Sequence, residues 1–282
     1  MPQPLPVPTL DHVVVNVRDR IDEGAETYRR LGFTLTPRGY HTLGSMNHLA
    51  MFGTEYLELI AAPPGDTRRR EIITSPEGLN GLVWGTEDSN GTYEALRAAG
   101  VPIEQPQQFS RPVELPDGAH DATFRTVHVT PGTTPAGRLY FCHHLTRDLV
   151  WRDEWRHHAN GVIGVTRAVI AAQDPASLGG LFARMFGADA VCEIAGGRRL
   201  LVGLSQFDVI TPAELQNMFG AAAPGGDGRA EFMAALTLRT TSLNTAQAVL
   251  QAGGIAGVVR DSDRLIVPAS AAFGTVLEFR ES

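Results

Sequence analysis

His12 is the residue of this chain whose place and type most directly suggest chemistry. It lies in the apolar run Leu10-Asp11-His12-Val13-Val14-Val15-Asn16-Val17, seven positions before Asp19, a residue type that caps helix N-termini. The same count back from Asp88, Asp174 and Thr241 reaches Gly81, Arg167 and Ala234, so only the first of four equivalent places carries a metal-ligand type. A second recurring place presents a carboxylate in Tyr56-Leu57-Glu58-Leu59, Gln206-Phe207-Asp208-Val209 and Val276-Leu277-Glu278-Phe279, while the remaining copy reads Phe141-Cys142-His143-His144. Imidazole and carboxylate together suit Zn, Fe, Mn, Ni or Co. A neutral imidazole beside such groups can also serve as a base near pH 7.

The elements that would position these side chains recur four times: an apolar strand, a capped amphipathic helix, a glycine where the helix stops, and further short strands. The helix exits are Arg30-Leu31-Gly32-Phe33, Ala98-Ala99-Gly100-Val101, Met185-Phe186-Gly187-Ala188 and Ala252-Gly253-Gly254-Ile255. Glycine there supplies the left-handed conformation that ends a helix. In the first unit Val13, Val15 and Val17 face one way, toward the helix at 21–31, and His12, Val14 and Asn16 face a cleft. Strands are expected at 33–37, 47–52 and 55–61. The second unit has strands at 81–84, 101–104, 123–130 and 138–144 with a helix at 90–99. The third runs through a strand at 162–172, a helix at 175–186 and strands at 188–194, 199–203 and 207–211. After a Gly- and Ala-rich linker at 219–228, the fourth has a strand at 232–239, a helix at 243–252 and a last strand at 275–279. The stretch 105–121, rich in Pro and Gln, reads as a long loop, either a substrate lid or a surface excursion. Two units per half give an N-terminal domain at 1–150, a junction at 151–160 and a C-terminal domain at 161–282.

This α+β arrangement of four βαβββ modules resembles the vicinal oxygen chelate superfamily of glyoxalases, bleomycin-resistance proteins and extradiol dioxygenases. Roughly the first 160 residues resemble its glyoxalase-like domain family more particularly, on Asp11-His12, Leu31-Gly32-Phe33, His41, Gly44-Ser45-Met46-Asn47 and Tyr56-Leu57-Glu58-Leu59-Ile60. The third and fourth units carry the superfamily pattern alone. The resemblance implies that units pair and that their curled mixed sheets enclose a metal site. In such a curl His12 and Glu58 become neighbours. His144, on one strand face with Cys142, then comes from the paired unit as third ligand, with His143 as the alternative. The expected centre is His12, Glu58 and His144 around one divalent ion.

Around it, His41 and His48 are candidate catalytic residues, and Asn47, His128 and Trp151 are candidate substrate contacts. His48 reads equally as a surface strand residue, and His128 faces either inward or solvent. Trp151 belongs to a cluster with Trp155, His157, His158 and Asn160 that either packs the halves together or forms a substrate wall. Arg167 and Asp208 read as a structural ion pair where the first half has His12 and Glu58. Because arginine cannot ligate a cation, the C-terminal half is expected to have lost any metal site. The run Thr67-Arg68-Arg69-Arg70-Glu71 is either a solvated loop or a place for the anionic tail of a substrate.

Composition narrows the function classes. With 24 Lys and Arg against 31 Asp and Glu, the net charge is -7, and no basic stripe exists for phosphate, which argues against a nucleic-acid partner. No apolar stretch approaches the roughly 18 residues needed to span a bilayer, and the proline-rich N-terminus lacks an apolar signal core. A soluble, cytoplasmic protein with a small-molecule substrate and no membrane partner is expected, and a homodimer is compatible with this. Two cysteines, Cys142 and Cys192, form no framework and read as core residues. The preferred function is metal-dependent lyase or isomerase chemistry of the glyoxalase type on a small oxygenated organic molecule. The alternatives are an Fe(II) ring-cleaving dioxygenase and a metal-free protein that sequesters an aromatic compound, the latter disfavoured by an aromatic content of 7%.

Overall fold

The structure is a computed structural model and describes residues 8–281. The first unit comprises β1 (Leu10–Asn16), α1 (Ile21–Arg30), β2 (Gly39–Tyr40), β3 (Met46–Met51) and β4 (Tyr56–Ala61), followed by the short α2 (Arg70–Thr74). The second comprises β5 (Gly78–Gly85), α3 (Ser89–Ala98), β6 (Gln107–Leu115), β7 (Gly118–His128) and β8 (Arg138–His144). The third has β9 (Val162–Ala172), α4 (Pro175–Phe186), β10 (Val191–Ile194), β11 (Gly197–Val202) and β12 (Ser205–Ile210), then α5 (Pro212–Phe219). The fourth has β13 (Glu231–Thr240), α6 (Leu243–Ala252), β14 (Val259–Arg260), β15 (Leu265–Val267) and β16 (Val276–Glu281). Among the described residues no helix is long and apolar enough to cross a membrane.

These elements form an α+β fold of two eight-stranded mixed sheets, ordered β2-β3-β4-β1-β5-β8-β7-β6 and β10-β11-β12-β9-β13-β16-β15-β14. Within each unit the first and last strands pair in parallel, as β1 with β4 and β5 with β8. The two units of a sheet join through antiparallel first strands, β1 with β5 and β9 with β13. The first sheet curls until its edges meet: the Thr42 N–H, just after β2, donates to the Ser110 carbonyl of β6 at 3.0 Å. It is therefore nearly a barrel, and its concave face is a chamber.

One apolar core joins the outer faces of both sheets to the helices. Val13 and Val15 of β1, Tyr28 of α1, Phe182 of α4, Leu236 of β13 and Leu250 of α6 all belong to it. Trp84 of β5 sits at its centre, 4.9 Å from Phe186 and 5.4 Å from Phe207 between ring centroids. Each concave face carries its own cluster. In the second sheet that cluster is completed by Leu215 and Phe219 of α5, which fill the concavity against Val169, Ala171, Ile210 and Phe232.

Several elements differ from the sequence reading. Residues 33–37 and 101–104 are not strands; the latter contributes a single bridge, Ile103 to Val129. The stretch 105–121 is not a loop but the hairpin β6–β7, paired from Gln107 with Thr126 to Leu115 with Gly118. Pro112 is tolerated because β6 is an edge strand. The helices α2 and α5 were not anticipated. Asp88 and Asp174 do cap their helices, but the cap position of α1 is Arg20, which makes no side-chain cap, and α6 is capped by Ser242 rather than Thr241.

Counting seven back from the observed cap positions reaches Val13 in the first unit and Ala235 in the fourth, so the equivalent places are set by strand pairing and not by the caps. His12 pairs with Tyr56, Gly81 with Arg138, Arg167 with Gln206 and Ala235 with Val276. Two residues further along the last strands stand Glu58, Tyr140, Asp208 and Glu278. Thus the second-unit equivalent of Glu58 is Tyr140, not a residue of Phe141-Cys142-His143-His144.

Candidate active site

The chamber of the first sheet encloses about 850 Å³ and is lined by His12, His41, Asn47, Glu58, His128 and Tyr140 among others. Strand alternation explains most of this. On β8, Arg138, Tyr140 and Cys142 point inward; on β3, Asn47 and Leu49 do. His144 continues the β8 series beyond Cys142, its ring 5.0 Å from Phe124 and 4.7 Å from Trp151 between centroids. His143 points the other way, 3.4 Å from the Ser89 hydroxyl of α3.

His12 is held at both ring nitrogens. Its Nδ1 lies 2.5 Å from Asp11 Oδ1, and its Nε2 lies 3.0 Å from the Tyr140 hydroxyl and 3.8 Å from Glu58 Oε2. Tyr56 stacks on the imidazole at 4.4 Å. The same Asp11 oxygen accepts from His144 Nε2 at 3.0 Å, so a buried line runs His144, Asp11, His12, Tyr140. A β-bulge between Leu10 and His12 is what brings Asp11 beside His12 instead of opposite it. Ligand atoms of Asp11, His12 and His144 lie within 4.8 Å of one another, a grouping that can hold a metal ion. His12 and Glu58 are therefore neighbours, while His144 reaches His12 through Asp11.

Burial pushes the Asp11 carboxyl up, but the charges and hydrogen bonds of His144 and His12 outweigh it and hold the group well below the usual carboxylate range. Glu58 behaves alike. Burial raises it, and His12, His41 and the Asn47 amide, which donates to Oε1 at 2.6 Å, bring it below its ordinary value. Tyr140 and Cys142 are pushed well up by burial, so both stay protonated; the thiol is no nucleophile.

His41 lines the chamber with Nδ1 2.9 Å from Ser45 Oγ and Nε2 3.3 Å from Asn47 Nδ2. His128 lines it too, stacked on Tyr140 at 4.3 Å. Burial lowers His41 to about 4 and His128 to about 3, with nearby arginines adding to both effects. His48 lies on the opposite face of β3, its Nδ1 2.8 Å from the Thr36 carbonyl. Trp151 stands behind the chamber wall, edge-on to Tyr56 at 5.4 Å and under the Arg147 guanidinium at 3.5 Å. Asp11 and Tyr140 were not singled out by sequence reasoning. The signal for Tyr140 lay in matching β8 to β4 from its first residue.

The two lowered histidines make stability pH-dependent. In the unfolded chain each takes a proton near pH 6.5, but in the folded chain only near 4 or 3. Between those values the unfolded state binds more protons, so stability is full above about 6.5 and is lost as pH falls. With water reaching part of each ring, we expect a loss of about 2 kcal/mol by pH 5. Urea unfolding midpoints at pH 7.5 and pH 5 measure it; coincident midpoints would contradict the burial of both rings.

A curled sheet of paired βαβββ units around such a chamber defines the vicinal oxygen chelate class. The family model for the glyoxalase-like domain matches residues 10–186, more than half of the chain, and the chain belongs to that family. Among curated proteins none matches. Solved structures are similar across the chain. A hypothetical protein from Staphylococcus aureus superimposes with a TM-score of 0.70 at 11% identity, covering 97% of this chain and 99% of that one. A triple mutant of 4-hydroxymandelate synthase from Streptomyces coelicolor gives 0.58 at 14% identity, covering 99% and 93%. A fusion of a xylose isomerase-like TIM barrel with 4-hydroxyphenylpyruvate dioxygenase gives 0.61 at 15% identity, covering 99% of this chain and 51% of that one. At these identities the likeness is one of fold.

Proposed function

We propose that the chain is a metal-dependent enzyme acting on a small oxygenated organic molecule within the first-sheet chamber, by lyase or isomerase chemistry. The observation that carries this reading is His12 set between two carboxylates, with Asp11 on Nδ1 at 2.5 Å and Glu58 3.8 Å from Nε2. The donors fit a divalent ion in kind: two imidazoles and two carboxylates, all buried, with His144 Nδ1 lacking a partner among the described residues. His12, Glu58 and His144 would hold the ion, with Asp11 behind the His12 ring on its Nδ1 side. Such an ion supplies a Lewis acid for paired substrate oxygens and for the negative charge that develops as a proton moves.

The remaining steps belong to the chain. Asp11 fixes the orientation of the His12 ring, as carboxylates behind ligating histidines do. Tyr140, kept protonated, can donate its hydroxyl proton to an oxygen of the bound molecule. His41, neutral at pH 7 and joined to Glu58 through Asn47, can accept a proton at Nε2. The hairpin β6–β7 and α2 contribute Phe109, Arg111, Phe124, Glu71 and Ile72 to the chamber wall.

A second reading rests on a different observation. Where β1 and β4 present His12 and Glu58, β5 and β8 present Gly81 and Tyr140, and the Tyr140 hydroxyl and Asn47 amide already satisfy His12 Nε2 and Glu58 Oε1. On that reading the chamber binds its ligand without metal.

Elemental analysis of protein purified without chelator decides between them. Zn, Mn, Ni or Co without oxygen uptake supports proton-transfer chemistry, whereas iron with oxygen consumption on catechols favours the ring-cleaving dioxygenase. For the metal reading we expect Glu58→Gln to lower metal occupancy while the fold is kept, because the amide preserves shape and removes charge. His12→Ala should do the same. Full occupancy in both variants would leave the metal-free reading.

A further inference from the structure

We infer that the chamber takes substrates bearing a carboxylate, and that Arg138 at the start of β8 is the residue that holds it. The inference rests on the reading that the first-sheet chamber is the substrate site, but not on the presence of a metal. Arg138 lines the chamber, and its Nε and Nη2 are buried without a hydrogen-bond acceptor among the described residues. Leaving two donors of a buried cation unmet costs free energy that a bound acceptor would recover. Nε and Nη2 form an edge of the guanidinium that can meet both oxygens of a carboxylate at once. The chain uses that very edge elsewhere: Arg199 Nε and Nη2 donate to the two oxygens of Asp208 at 2.6 and 2.8 Å.

The surrounding charge agrees. Of the other lining arginines, Arg69 is paired with Glu71 at 2.6 Å, Arg68 with Asp66 at 2.8 Å and Arg229 with Asp227 at 3.8 Å. Arg111 is buried in the same wall and, like Arg138, has no carboxylate within 4.0 Å among the described residues. Two guanidinium groups thus face the chamber without a directly paired carboxylate, and Glu58 is the one acidic group of the chamber whose charge acts on both. The Thr67–Glu71 segment also reaches it, through Arg68, Arg69 and Glu71, although those arginines are spoken for by neighbouring acids.

Position gives the inference its chemical content. Arg138 and Tyr140 share one strand face about 7 Å apart. A carboxylate on Arg138 therefore lays the next few atoms of a compact acid along β8, toward the Tyr140 hydroxyl, His12 and Glu58. The substrate class is a small oxygenated carboxylic acid whose reacting oxygens lie two or three bonds from the anchoring carboxylate.

The test compares phenylacetate and mandelate with their amides and methyl esters by calorimetric titration of the full chain, with and without EDTA. Wild type should bind the acids at least tenfold more tightly than the amides, before and after chelation. Arg138→Gln should abolish the preference with metal content unchanged, and Arg138→Lys should keep part of it by charge while losing the two-pronged contact. Equal affinity for acid and amide in wild type, absence of binding by either acid, or an undiminished preference in Arg138→Gln would overturn the inference. A preference that vanishes with EDTA while Arg138 is intact would overturn it too, and would leave the metal reading standing.

Discussion

Asp11→Asn is expected to lower the unfolding free energy by about 3 to 5 kcal/mol, the range for removing one member of a buried charged set. Asp11 is 2% exposed, and a single oxygen of it serves both His12 Nδ1 and His144 Nε2. The amide keeps the shape and the accepting oxygen, yet it removes the negative charge that two buried imidazoles share and puts a donor in place of the second oxygen. If the proposed metal reading holds, metal affinity should also fall about 10- to 100-fold in the same variant, because Asp11 orients His12. Denaturant melts and competitive chelation measure the two effects. Wild-type stability in Asp11→Asn would mean that the buried line from His144 to Tyr140 does not exist as described.

The second large effect lies in the other half. Glu278, fully buried, takes Arg167 Nη2 at 2.7 Å, Arg280 Nη2 at 3.1 Å, Arg264 Nη1 at 3.3 Å and the Thr237 hydroxyl at 2.6 Å. Glu278→Gln replaces the shared carboxylate with a neutral amide while Arg264 keeps Asp261, Arg280 keeps Asp263 and Arg167 keeps Asp208, and we expect a loss of about 1.5 to 3 kcal/mol. Asp208 is held chiefly by Arg199, with Arg167 at 3.7 Å, so the pair expected between Arg167 and Asp208 is the weaker arm of a larger network. Arg167→Met should therefore cost less than Glu278→Gln. If the order is reversed, Glu278 is not the hub of that network. Neither substitution should alter metal content.

The repeat was legible in the sequence because glycine-terminated helices and alternating strands leave local marks; Gly32, Gly100, Gly187 and Gly254 all take positive φ as their positions require. Strands β8 and β9 and helices α4 and α6 fall where apolar periodicity and caps place them. His12 and Glu58 could be brought together because first and last strands of one unit pair in parallel. What local pattern does not encode is register between distant strands. Nothing in 138–144 tells that Arg138 lies opposite Gly81, and so Tyr140 and Arg138 went unnoticed while His144 was favoured. The bulge beside Asp11 likewise interrupts the period of two, so alternation along β1 does not tell where Asp11 points. The hairpin β6–β7 escaped because an edge strand with alternate polar residues and Pro112 looks like a loop until a partner is known.

The plugging of one concavity by α5, while its counterpart stays open, separates two tasks that duplicated sheets would otherwise share. The plugged half can accept substitutions that favour rigidity without altering the chamber, whereas the open half must keep polar side chains inside a barrel wall at a cost in stability. Selection on the two copies is then of different kinds. Drift in α5 and its neighbours would show as changes in heat tolerance, and drift along β1, β4 and β8 as changes in what the protein can use.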